Sequence, residues 1–171
     1  MFIDVFLSVG QVQSAKQRLF IDAVQTLLIA HDLVPRTVVR TDFTDRKPIR
    51  HITEVLRKCS GTIIVALERF HFVRGVEFRI SPKAVELTNV SLPTVWNQIE
   101  ASIAYTLGQP LLAIVETGLR REGLLEEGYD WYVNWIDFNP SRLTEPEFLA
   151  TFSEWKSSVE KYQFEQFARG T

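Results

Sequence analysis

Short stretches of this chain are apolar at almost every position, and segments with helical spacing of apolar residues stand between them. Phe2 to Val9 is such a run, with Asp4 and Ser8 as its polar members, and it ends at Gly10. Thr62 to Leu67 and Leu111 to Val115 are clearer still. A strand apolar on both sides of its pleat needs cover on both faces, which is the condition of strands in a parallel sheet. Parallel neighbours cannot be joined by a tight turn, so helices must return the chain. The alternation therefore predicts β-α-β units: an open α/β sandwich of three layers, with a mainly parallel five-stranded sheet at its centre.

The helices announce themselves by their ends. Ser14-Ala15-Lys16-Gln17 has the pattern of a capping box, and Phe20, Val24, Leu27, Leu28 and His31 follow at helical spacing. A second strand is predicted from Leu33 to Val39. Pro48 suits the first turn of a helix whose buried stripe is Ile49, Ile52, Val55 and Leu56. Lys58 favours the C-terminal end of that helix and Gly61 terminates it. Another helix runs from about Thr94 to Leu107 and closes at Gly108 and Pro110. Thr117 to Gly128 reads as a loop with a helical turn, and Asp130 to Phe138 as a fifth, aromatic-rich strand. Thr144-Glu145-Pro146-Glu147 resembles a second capping box. The helix it opens, over 145–164, buries Phe148, Phe152, Trp155, Val159 and Tyr162, and the tail after Phe164 frays. Glu68 to Leu92 is too long for an ordinary connection and reads as an insertion or lid, with Val76 to Ile80 alternating like an exposed strand.

Composition narrows the function classes. A chain of 171 residues with 46% apolar residues suits a single domain with a sizeable core. The formal net charge of -2 argues against a dedicated nucleic-acid partner, because such proteins usually carry a basic excess. Cys59 is the sole cysteine, which fits a reducing, cytoplasmic setting. No apolar stretch is long enough to span a bilayer, so no membrane partner is expected. Met1 to Leu7 lacks a basic leader and reads as a strand rather than a signal peptide.

Open parallel sheets bind ligands beyond the carboxyl ends of their strands. That rule selects Ser8 to Gln11, Arg40 to Arg46, Leu67 to Arg74 and Glu116 to Arg121. Glu100 is the candidate for chemistry. It follows Trp96 by four residues, so the two share a helix face. A carboxylate near a helix start at the ligand edge can bond a sugar diol, act as a base or stabilise an oxocarbenium-like centre. The plainer reading is a solvated residue favoured by the helix dipole. Ser8 and Gly10 form a strand-to-helix turn where backbone amides can meet an anion. Arg40 and Asp42 stand where related sheets hold phosphate and ribose, although a solvated charged loop explains them equally. Phe43 and Trp96 are candidates to pack on a base or ribose. Arg69, Arg74, Arg79 and Lys83 interleave with Phe70, Phe72 and Phe78, which suits a charge-protected edge strand better than a basic lid. His31, His51, His71 and Cys59 lack metal-type spacing, so no metal is expected. Cys59 reads as a core residue.

The order of these pieces resembles a Toll/interleukin-receptor (TIR) domain and, more loosely, the related nucleoside 2-deoxyribosyltransferase-like folds. The resemblance rests on Ile3-Asp4-Val5-Phe6-Leu7-Ser8, on Cys59-Ser60 before Thr62 to Leu67, on Trp96 to Glu100, and on Leu111 to Val115. It covers roughly residues 2 to 160. The insertion at 68–92 is longer than the usual TIR loop, and Asn97 stands where a Cys is usual. The resemblance implies a flavodoxin-like fold and implies that Glu100 acts at an N-glycosidic bond of NAD or a nucleoside. In the transferase relatives a Glu in a segment like Glu100-Ala101-Ser102-Ile103 attacks the anomeric carbon. NAD would then be a substrate, and no cofactor is expected. Many TIR domains only self-associate and signal. The alternative expectation is therefore a non-catalytic module that forms homo-oligomers or binds a partner or a nucleotide-derived ligand. A receiver-type regulator is disfavoured because no acidic pair follows the first strand.

Overall fold

The computed structural model describes residues 2–38 and 48–169. Strands β1 (Ile3–Val9), β2 (Leu33–Arg36), β3 (Thr62–Ala66), β6 (Leu111–Glu116) and β7 (Tyr132–Ile136) form one sheet in the order β2-β1-β3-β6-β7. Every neighbouring pair in it is parallel. Helices α1 (Ala15–Ala30), α2 (Pro48–Leu56), α3 (Val95–Thr106) and α4 (Pro146–Arg169) flank it. This is a flavodoxin-like three-layer α/β fold, and its sheet is wholly rather than mainly parallel.

The two apolar sides of the strands explain the two helix layers. Ile3, Val5 and Leu7 of β1 face Phe20, Val24 and Leu28 of α1 and, with Ile63 and Val65, share a core with Phe148, Phe152, Trp155 and Val159 of α4. Phe6, one residue out of step, faces the opposite core with Ile64, Ala66, Ala113 and Val115. Ile52 and Leu56 of α2 and Ala101 and Ala104 of α3 cover that side. A period of two along each strand thus assigns α1 and α4 to one layer, and α2 and α3 to the other.

Several local expectations shift. Ser14 caps α1 as predicted, accepting from the Gln17 N–H at 3.1 Å, but the Gln17 carboxamide reaches the N–H of Gln13 rather than that of Ser14. His31 is exposed at the helix end and meets Phe152 edge-on. Ile49 is also exposed, because α2 buries only the side carrying Ile52 and Leu56. Thr144 does not cap α4. It lies in a 3-10 turn over 140–144 and its hydroxyl donates to the Ser141 carbonyl, so the helix begins at Pro146. Helix α4 runs five residues past Phe164, to Arg169.

The 68–92 insertion is a β-hairpin. Strands β4 (Phe70–Glu77) and β5 (Val85–Leu92) pair antiparallel as a separate sheet. The predicted strand at 76–80 ends early, because Phe78 takes a left-handed φ of 53° and Ser81 N–H donates to its carbonyl. The hairpin is tied to the end of β6 and to the loop after it. Glu68 N–H donates to the Glu116 carboxylate at 2.9 Å, Arg120 N–H donates to the Ser91 carbonyl, and the Arg120 guanidinium pairs with Glu77.

At the other end of the sheet, buried Gln109 joins three elements. Its carboxamide donates to the carbonyls of Leu56 and Cys59 and accepts from the Thr62 hydroxyl. Cys59 beside it is a core cysteine, 3% exposed, and its thiol donates to the Val55 carbonyl. Burial pushes that thiol up to about 12, Asp4 adds to the rise and Arg36 opposes it. An unhindered thiol ionises at 9.0. The group's contribution to stability is therefore complete below pH 9 and is lost as the pH climbs from there through 12, at up to about 1.4 kcal/mol per pH unit. Thiol reagents are expected to ignore the folded protein at pH 8 and to modify it fully in denaturant. Cys59→Ala is expected to flatten the alkaline fall in a urea-unfolding series.

Candidate functional site

Strand order decides where a ligand fits. From β1 the chain leaves to one side through α1 to β2, then crosses back to β3 on the other side. Connections therefore diverge from the carboxyl ends of β1 and β3, and a crevice opens between them. A cleft of about 510 Å³ lies there. Val9 at the end of β1 and Gly10 to Val12 after it, Thr37 and Val38 after β2, Arg69 after β3, and the start of α3 form its walls.

Glu100 stands on that wall, one helical step from Trp96. Both are partly buried. The helix builds this face simply. Thr94 caps α3, its hydroxyl accepting from the Trp96 N–H, while Asn97, Ala101 and Ala104 turn into the fold. The adjacent flank then carries Trp96 and Glu100 to the cleft wall. Glu100 is the sixth residue of α3, beyond the first turn where the dipole acts, so helix electrostatics do not account for a carboxylate there.

Gly10 lines the cleft across from this helix. A Cβ on it would sit 3.3 Å from the Thr94 methyl, so a glycine lets the turn after β1 approach the start of α3. Ser8 is placed differently from Gly10. It is 2% exposed and does not line the cleft. Its hydroxyl accepts from the Asn97 carboxamide at 2.8 Å, a bond that locks α3 to β1. Asn97 itself is buried at the cleft floor, with its Oδ1 lacking a partner among the described residues. Arg40, Asp42 and Phe43 lie outside the described residues; Thr37 and Val38, which precede them, line the cleft.

Two cations join Glu100 on the walls. Arg69, at the hairpin root, donates to the Gln11 carboxamide at 3.1 Å and so reaches the turn after β1. Arg18 comes from α1, on the flank that also brings Ile21 and Gln25 to the cleft. Arg18 escapes a motif-based reading, although its spacing of three and seven residues from Ile21 and Gln25 marks a shared helix face. Arg74, Arg79 and Lys83 point elsewhere, along the exposed hairpin. The walls thus offer one carboxylate, two guanidinium groups and an indole around a space the size of a small ligand site.

No family model matches the chain. No curated protein is significantly similar to it. Among the described residues, no group of His, Cys, Asp and Glu side chains is arranged to hold a metal ion. No described helix is long and apolar enough to cross a membrane.

Proposed function

We propose that this chain is a TIR-like domain that binds a nucleotide or nucleoside in the β1–β3 cleft and acts at its N-glycosidic bond through Glu100. The observation that carries the reading is the position of Glu100. It shares the cleft wall with Trp96 and faces the Gly10 turn, at the switch point of an open parallel sheet. In this reading Trp96 packs on the base or ribose, and the Gly10 turn, Arg18 and Arg69 face phosphate. The bond between the anomeric carbon and the base nitrogen breaks, and its electron pair leaves with the base. The Glu100 carboxylate stabilises the cationic sugar until water attacks, or bonds to the anomeric carbon and is released by water or an acceptor hydroxyl.

The test is direct. Purified protein is incubated with NAD and with a panel of nucleosides, and free base is measured for wild type and Glu100→Ala. Release by the wild type alone is expected; equal release by both sinks the role given to Glu100. Arg69→Ala separates the substrate classes. Losing a charge-assisted bond to phosphate is expected to raise the KM for NAD about tenfold, with little change for a free nucleoside.

A second reading has its own observation. Phe70, Phe72, Val73, Phe78 and Ile80 of the hairpin are exposed, Ile80 to 98%. Such a surface suits a non-catalytic module that docks on a partner. A wild-type protein that releases no base and shows no thermal shift with NAD or nucleosides favours it.

A further inference from the structure

The β4–β5 hairpin sorts its side chains by the period of two. His71, Glu77 and Ser91 turn towards the body, where the Ser91 hydroxyl meets His71 and Glu68, and Glu77 pairs with Arg120. Phe70, Phe72, Arg74 and Val76 share the other face, across from Leu92, Val90, Thr88 and Glu86. All four are exposed. Past Glu77 the chain turns through Phe78 to Ala84, and this tip is ordered by its own bonds. Ser81 N–H donates to the Phe78 carbonyl, Ala84 N–H to the Ser81 carbonyl, and Lys83 N–H to the Ser81 hydroxyl. Phe78 and Ile80 project from it, Ile80 almost wholly exposed. Monomeric proteins rarely leave a contiguous apolar surface of this kind uncovered.

The charge beside this surface selects what covers it. Arg74, Arg79 and Lys83 are exposed and have no ion-pair partner among the described residues. Between Phe78 and Val85 there is no acidic residue. Glu77 is neutralised by Arg120, so Glu86 is the one carboxylate of the two strands left unpaired among the described residues. A chain with a formal net charge of -2 thus gathers positive charge around Ile80, the most exposed large apolar side chain among the described residues. We propose that the tip of this hairpin docks the protein on an anionic lipid surface. Phe78 and Ile80 enter the boundary between headgroups and acyl chains, while Arg74, Arg79 and Lys83 meet the lipid phosphates and carboxylates. No described helix is long and apolar enough to cross a membrane, and a surface hold needs none. The bonds inside the tip occupy three of its N–H groups, which lowers the cost of taking it out of water. Other anionic partners fit less well. A single-stranded nucleic acid is held by flat rings on which its bases stack, and Ile80 and Val76 are aliphatic. A protein partner would need a pocket shaped to this convex tip, whereas a lipid surface yields around it. The dock holds whether or not the cleft cleaves a bond.

Flotation of the full chain with vesicles of phosphatidylcholine and phosphatidylserine in equal parts is expected to recover it with the lipid. Vesicles of phosphatidylcholine alone are expected to leave it behind, and rising salt to weaken the hold. Ile80→Asp and, separately, the pair Arg79→Ser with Lys83→Ser are each expected to weaken binding about tenfold or more. Leu19→Asp, at an exposed apolar position on α1, is expected to leave it unchanged. Circular dichroism confirms that each variant is folded. A dye that reports polarity, attached to Ile80→Cys, reads entry directly, since Cys59 is buried and does not label. Its emission is expected to shift to the blue on the mixed vesicles, while a dye on Ser153→Cys, whose site on α4 is exposed, keeps its emission. No recovery with the mixed vesicles overturns the proposal. So does recovery that Ile80→Asp leaves intact. Retention of a labelled oligothymidine without recovery on any vesicle overturns it in favour of a nucleic-acid face.

Discussion

Glu100→Gln is expected to reduce base release by about 10² to 10⁴-fold while leaving ligand affinity within a few-fold of wild type. The amide keeps the size and the hydrogen-bonding reach of the side chain but carries no charge to oppose a cationic sugar. The loss therefore falls on kcat, because the interaction is made in the transition state and not with the neutral ground-state ribose. The fold has little stake in this group. Glu100 is partly exposed and lies on the cleft side of α3, away from Ala101 and Ala104, which carry the packing. Its replacement is expected to change unfolding free energy by less than about 1 kcal/mol. A variant that loses activity together with a large part of its stability would point to a structural role instead.

The largest stability effect is expected at the other end of the sheet. Trp155 of α4 is fully buried, packs against Phe152 with ring centroids 5.7 Å apart, and donates its indole N–H to the Pro110 carbonyl at 3.1 Å. A Cβ at Gly61 would come within 3.2 Å of its ring and 2.4 Å of Val159, so the start of β3 is shaped to receive these side chains. Trp155→Ala leaves a cavity that such a rigid surround cannot close and removes one of the two donors to the Pro110 carbonyl, which keeps the Thr62 N–H. The cost is about 3–5 kcal/mol, a large share of the 5–15 kcal/mol typical of a whole domain. In urea unfolding the midpoint falls and the slope stays constant. Trp96→Ala provides the contrast. Trp96 is only partly buried on the cleft wall, so its loss is expected to weaken ligand binding more than stability.

These two tryptophans show what the amino-acid sequence discloses and what it withholds. Trp155 belongs to a stripe with Phe148, Phe152 and Val159 that repeats at helical spacing, and this stripe is the one α4 buries. The runs that became β1, β3 and β6 were legible for a similar reason, since a strand covered on both faces leaves no polar alternation to misread. The alternation at 76–80 misled because Phe78 turns the chain with a positive φ, a backbone property that side-chain polarity does not report. Thr144 has the right residue type for a cap, but the 3-10 turn before α4 engages its hydroxyl first. In the candidate site, a spacing of four residues sufficed to put Trp96 and Glu100 on one face. The Ser8–Asn97 bond joins residues 89 apart in the chain, and the bonds of Gln109 span 47 to 53. Such pairings come from strand order, which local patterns do not encode. Arg18 sits on the flank of α1 that a core-seeking reading passes over.

The measurement that bears most directly on the role of the β1–β3 cleft is amide chemical-shift mapping of the intact Glu100→Gln protein with NAD, which this variant holds without cleaving. Shifts are expected at Gly10, Gln11, Trp96 and Asn97, with Arg69 reporting the phosphates. Shifts absent from these residues, or confined to surfaces away from the cleft, would contradict the account.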